Sequence, residues 1–187
     1  MGRWQPNARG RLAQAALELY GERGFEQTTV AEIAKRAGLT ERTFFRHYAD
    51  KREVLFAGGA VLEDLFVRAV ADAPDSAAPL DAVAAALEAA GTVLMDREFS
   101  RQRQAIIDAN ADLRERELIK LASLASALTA ALRRRGVADL AASLAAEAGI
   151  AVFKVAFERW IREAERRGLP QLIRESLDEL RAVTAGS

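Results

Sequence analysis

Cysteine is absent from all 187 residues, which removes disulfides, thiolate metal sites and cysteine nucleophiles in one step. Histidine occurs once, as His47. A metal site or catalytic relay built on it would need a second Cys or His, and there is none. Proline occurs four times and aromatics make up 6% of the chain; with abundant alanine, that balance favours helices over sheets. No apolar run approaches the roughly 18–20 residues that span a bilayer; even "GIAVFKVAF" is interrupted by Lys154. The start, "MGRWQPNARGRLAQAAL", is basic but has neither the apolar segment nor the small-residue cleavage site of a secretory signal. Pro6 stands where a myristoylation motif needs Ser or Thr. The expectation is a cytoplasmic protein without a membrane partner.

Net charge is also absent, since Lys+Arg and Asp+Glu each number 27, but the balance is local. Residues 1–52 hold ten Lys/Arg against six Asp/Glu, and the remainder holds seventeen against twenty-one. A basic end on an acidic body points the first fifty residues at a polyanion.

Almost every segment has helical period. Leu12, Ala15, Ala16, Leu19 and Tyr20 form an amphipathic stripe that ends near Gly24. Thr29 and Glu32 have capping-box spacing, opening a helix that stops at Gly38, and Thr40 can cap a short helix after it. Asp50 and Glu53 repeat the spacing before a long helix closed by Pro74. "APDSAAP", 73–79, reads as a linker. Helices are expected from Leu80, around 99–109, over 113–135, over 139–167 and over 172–183. The fold class is therefore all-α with about nine helices, divided into an N-terminal domain of residues 1–52 and a C-terminal domain of 53–187.

The unit from Thr28 to Tyr48 has the features of a helix-turn-helix. Ala34 is small where two backbones cross, and Gly38 suits the positive φ of the turn. Ile33, Ala37, Leu39 and Phe44 supply the inside, leaving Thr40, Glu41, Arg42, Thr43, Arg46 and His47 outside. Arg can pair with guanine and Thr can offer a hydroxyl or methyl to a base edge. Lys51 reads as a cation in the first turn of the next helix, able to meet phosphate. Arg3, Arg9 and Arg11 are either a phosphate-binding arm or a solvated basic terminus.

The stretch "GFEQTTVAEIAKRAGLTERTFFRHYADKREVL" closely resembles the DNA-binding region of TetR-family transcriptional regulators, over about Ala8–Leu55. The resemblance implies that Thr28 and Thr29 contact phosphates, that Thr40, Arg42, Thr43 and His47 face DNA, and that Tyr48 and Lys51 anchor the backbone. Phe45 departs from the tyrosine frequent in that family, so it can give DNA only an apolar contact. A palindromic operator in double-stranded DNA, a homodimer, and a repressor released by an unidentified small-molecule effector are implied too, with no cofactor, metal or catalysis. An all-α enzyme would need a cluster of titratable groups outside this region, where scattered Arg/Glu helix pairs stand instead. A regulator that binds no ligand, or that activates, is left open.

In the C-terminal part, Gly58 and Gly59 read either as a flexible joint or as a close approach of a neighbouring helix. "AVFKVAFERWI" is apolar around more than one face, which suggests a helix meeting both its own core and a partner. The expected dimer interface is Phe157, Trp160, Ile161, Leu172, Ile173, Leu177 and Leu180. Candidate effector contacts are Phe66, Leu94, Met95, Phe99, Arg103, Ile107 and Phe153.

Overall fold

A computed structural model describes residues 7–94, 96–162 and 167–185. Met95 and Arg3, named above for the effector site and the basic arm, lie outside the described residues. Among those described there are nine α-helices and no strand: α1 Ala8–Arg23, α2 Val30–Arg36, α3 Glu41–His47, α4 Gly59–Asp72, α5 Pro79–Ala90, α6 Arg97–Asp108, α7 Ala111–Arg134, α8 Asp139–Arg162 and α9 Leu169–Ala185. They divide into two compact units. One comprises Met1–Gly58 and Gln102–Glu117, and the other Gly59–Arg101 and Leu118–Ser187. The expected first domain ended at residue 52; the first unit runs on to Gly58 and also takes in the end of α6 and the start of α7.

In the first unit, Asn7 caps α1 by accepting from the Arg9 N–H, and α1 buries Leu12, Ala15, Ala16, Leu17, Leu19 and Tyr20 before Gly24 ends it at φ 88°. The Thr29–Glu32 capping box opens α2. Gly38, at φ 65°, turns the chain toward α3. Any side chain there would be strained, and a Cβ would sit 2.9 Å from the Arg11 guanidinium, which caps the Ala37 carbonyl. Phe44 is the buried residue of α3, and it joins Ile33, Ala34, Phe25 and Tyr48 in the unit's core.

The long helix expected after Asp50 is not continuous. Asp50 does accept from the N–H groups of Arg52 and Glu53, at 2.8 and 3.1 Å. Beyond it the chain makes a single 3-10 turn, Glu53–Phe56, and α4 begins only at Gly59. Two glycines in succession weaken helix here by roughly 1 kcal/mol each. The carbonyls that would continue it are also taken, that of Leu55 by Arg103 Nε and that of Ala57 by Arg9 Nη2 at 2.8 Å. A Cβ on either glycine would meet nothing within 4 Å, which removes the close-packing alternative.

The second unit is built round α5, which packs against α4, α8 and α9. Pro79 stands in its first turn, where a missing N–H costs nothing. Its small side chains, Ala82, Ala84, Ala86 and Ala90, are buried with Val83 and Leu87 and let neighbouring helices come close. At Gly149 of α8 an added Cβ would lie 2.3 Å from Val83 Cγ1. By length and composition alone α8 could cross a membrane, but its apolar residues serve as core, packed on α5 and α9.

That packing bears on two expectations. Trp160, Ile161, Leu172, Ile173 and Leu177, expected at a dimer interface, are buried in the chain's own core, with Phe157 and Leu180 packed against it. Phe153 and Trp160 on one apolar face of α8, and Val152 and Ala156 on the other, are buried within the chain's own core, while Val155 stays exposed. The large apolar residues that α8 leaves exposed are Leu140, Leu144 and Val155. Among the effector candidates, Phe66 and Phe153 are core residues meeting edge to face at 6.2 Å. Leu94 and Phe99 are half-buried residues of the same unit. Ile107 is fully buried in the first unit. Arg103, also there, pairs with Glu117 at 3.5 Å and lies over the Phe56 ring at 5.1 Å. Its charge is already answered inside the protein, so Arg103 does not call for an anionic ligand.

Candidate nucleic-acid interface

The expected DNA contacts fall into two groups, one turned inward and one outward. Thr28 is 1% exposed, and its hydroxyl donates to the Gly24 carbonyl at 2.8 Å, closing the turn between α1 and α2. Tyr48 is buried, with its hydroxyl donating to the Arg9 carbonyl at 3.0 Å; burial pushes its phenol pKa up. Lys51 is not in the first turn of a helix. Its ammonium donates to the carbonyls of Phe25, Glu26 and Thr28 at 2.9, 3.2 and 3.1 Å and lies 4.4 Å from the centre of the Phe25 ring. Three donors meet three acceptors, so the ammonium has no hydrogen left for phosphate. Tyr20 completes this underside by donating to the Lys51 carbonyl at 2.6 Å. Burial, with the nearby Asp50 charge, drives its phenol pKa well above the ordinary value.

The outward group is differently placed. The Thr29 hydroxyl accepts from the Glu32 N–H at 3.3 Å, and the Glu32 carboxylate accepts from the Thr29 N–H at 2.9 Å. That backbone hydrogen bond, with one from the Thr29 hydroxyl and the charge of Arg23, holds the Glu32 pKa below its usual value. Thr40 caps α3 by accepting from Thr43 N–H at 3.2 Å, and the two hydroxyls lie 3.1 Å apart. Glu41, Arg42, Phe45 and Arg46 are exposed along one side of α3, while Thr43 is half-buried. His47 is half-buried rather than open, and its Nε2 is shielded from solvent without a hydrogen-bond partner.

Charge separates the two groups. In the first unit Arg9, Arg11, Lys51, Arg103 and Arg114 donate to backbone carbonyls, and Arg23, Arg36, Arg52 and Arg116 pair with carboxylates. Among the described cations of this unit, those without any hydrogen bond or ion pair are Lys35 of α2 and Arg42 and Arg46 of α3. Arg9 and Arg11 thus each tie down a backbone carbonyl of the fold. Lys35 was missed by sequence reasoning, and Arg46 was seen only as part of a polar face. The i, i+3, i+4 spacing of Arg42, Phe45 and Arg46 was the available signal.

Comparison with known proteins matches the chain to two family models. A family model described as bacterial regulatory proteins of the tetR family matches residues 12–57, and one described as the MftR C-terminal domain matches residues 77–185. The chain is 38% identical to the HTH-type transcriptional regulator TcmR of Streptomyces glaucescens over 81 residues, 43% of this chain and 36% of that one. The match thus spans about a third of that relative's length. It is 27% identical over 168 residues to a Mycobacterium tuberculosis protein named as the mycofactocin biosynthesis transcriptional regulator MftR, covering 87% of this chain and 84% of that one. Among solved structures it resembles Bacillus subtilis FadR in complex with stearoyl-CoA, with a TM-score of 0.62, 20% identity, and coverage of 91% of this chain and 96% of that one. At that identity the likeness concerns the fold.

Proposed function

Because this chain belongs to the TetR family of bacterial regulatory proteins, with a C-terminal domain of the MftR type, we propose that it is a repressor that binds a palindromic operator as a homodimer and leaves it when a small-molecule effector binds. In this reading residues 1–52 read DNA, 53–187 pair and sense the effector, and binding and release involve no covalent step. The protein works in the cytoplasm, where its operator is.

The observation that carries the reading is the outward face of α2 and α3. Lys35 of α2 and Arg42 and Arg46 of α3 are exposed there, the described cations of the first unit that its own fold leaves unengaged. α3 enters the major groove, where Arg42 and Arg46 donate to guanine O6 and N7. Thr40 and Thr43 offer hydroxyls, and Thr29 and Lys35 meet flanking phosphates. Thr28, Tyr48 and Lys51 act from inside, fixing the loops that aim α3. His47 sits half-buried at the edge of the contact.

Two heads must reach half-sites about 34 Å apart, which calls for a two-fold pair. We place the pairing on α8, where exposed Leu140, Leu144, Ala151 and Val155 fall on one side of the helix over roughly 22 Å. An effector bound by the second unit shifts the protein between two states only by its differential affinity for them.

Binding of the purified protein to DNA flanking its own gene, measured against salt, tests the reading. The logarithm of affinity should fall linearly with that of salt concentration; a flat response sinks it. Val155→Glu should give monomers in sedimentation and lose operator affinity. A dimer that survives it moves the interface elsewhere.

A further inference from the structure

We propose that Phe45 reads the 5-methyl group of a thymine that lies next to a guanine in each half-site; this rests on the DNA-binding reading above. Phe45 is 56% exposed, and among the described residues no other aromatic side chain is as open to solvent. Its ring is not loose. It stands edge-on against Phe44, with centroids 5.4 Å apart and planes at 81°, and Phe44 is itself fully buried and in contact with Tyr48 at 5.5 Å. The ring is therefore presented to the outside on a fixed base. Arg42 and Arg46, both without partners, flank it on the same side of α3.

The chemistry of the groove narrows what this ring can face. Every base edge in the major groove offers a donor or acceptor, and thymine alone adds a methyl group. A phenyl ring pressed on an amino group or a carbonyl would bury it unpaired, which is unfavourable, whereas pressed on a methyl it removes apolar surface from water on both sides. Arg42 lies one turn before Phe45, about 4.5 Å along the helix axis, close to the roughly 3.4 Å that separate successive bases on a strand. Arg42 and Phe45 thus address neighbouring bases, a guanine through its O6 and N7 and a thymine through its methyl.

Deoxyuridine supplies the test, because it keeps the pairing of thymine and lacks only the methyl. A half-site is first obtained by selection from random duplex DNA with the full-length protein, and each thymine is then replaced singly in both half-sites. One replacement should weaken binding about fourfold per half-site, the equivalent of about 0.8 kcal/mol for one buried methyl, and about fifteenfold in the symmetric operator. Phe45→Ala should bind thymine and deoxyuridine probes equally, while Phe45→Leu should keep part of the preference. Thermal melting checks that both variants fold. Wild-type protein that binds with a normal salt slope yet ignores every deoxyuridine overturns this proposal and leaves the DNA-binding reading standing. An undiminished deoxyuridine penalty in Phe45→Ala overturns it too. Failure of the wild-type protein to bind any duplex overturns both.

Discussion

Lys51 and Arg46 are five residues apart, and both are long cationic side chains near the end of the helix-turn-helix. The ammonium of Lys51 is shared among three backbone carbonyls and covers the face of Phe25. The guanidinium of Arg46 has no partner. The same contrast separates Arg9, Arg11 and Arg103, whose donors meet backbone carbonyls, from Lys35 of α2 and Arg42 of α3. On the underside, cations tie loops together by occupying carbonyls that no helix satisfies. On the outward side, cations are held in position by the helix and left unspent. Being basic is thus a poor guide to touching a polyanion. What distinguishes the two sets is whether the fold already uses their donors.

The largest effect that would sharpen this contrast is expected from Arg42→Ala combined with Arg46→Ala. Each guanine contact contributes about 1–3 kcal/mol, so fluorescence anisotropy should show operator affinity falling by at least about a hundredfold. The melting temperature should barely change, since neither side chain is bonded to the protein. Lys51→Met should do the reverse. It leaves three carbonyls short of a charged donor and should cost about 2 kcal/mol in urea unfolding, with the salt slope of DNA binding unchanged in the folded fraction. A Lys51→Met protein of normal stability whose salt slope drops by about one per protomer would break the contrast.

The smallest effect concerns the cap of α2. Removing the N-cap hydroxyl in Thr29→Ala should cost about 1 kcal/mol near neutral pH. Glu32, the other half of the box, has its folded pKa below the ordinary 4.5. Its contribution is therefore present above pH 4.5 and lost as pH falls through the folded value. Urea titrations at successive pH values should show the gap between wild type and variant narrowing below about pH 4.5. A constant gap would mean that the box does not act through the carboxylate.

How far the sequence could be read depends on how local each signal is. Thr29 with Glu32, Gly38 and the burial of Phe44 depend on neighbours a few residues away, and those features of the helix-turn-helix are present as expected. Asp50 gave an equally local signal and does cap, but the length of the helix after it depends on Arg9 and Arg103 claiming carbonyls from distant positions. Lys51 is the same case, since its acceptors lie more than twenty residues back. The apolar faces of α8 were visible, but a helical wheel cannot count neighbours. Nothing in the spacing around Trp160 says that α5 and α9 both pack on this helix and bury that side chain within the chain. Arg103 was judged without its Glu117, which the turn between α6 and α7 brings opposite.

The near-contact of Gly149 with Val83 has a mechanical consequence. With no room for even a methyl group there, α5 and α8 are keyed together like tooth and notch and cannot slide along each other. A second key sits at the far end of α5, where a Cβ on Gly91 would fall 2.3 Å from the Pro170 ring of α9. Pinned at both places, α5 is fixed in register against α8 and against α9.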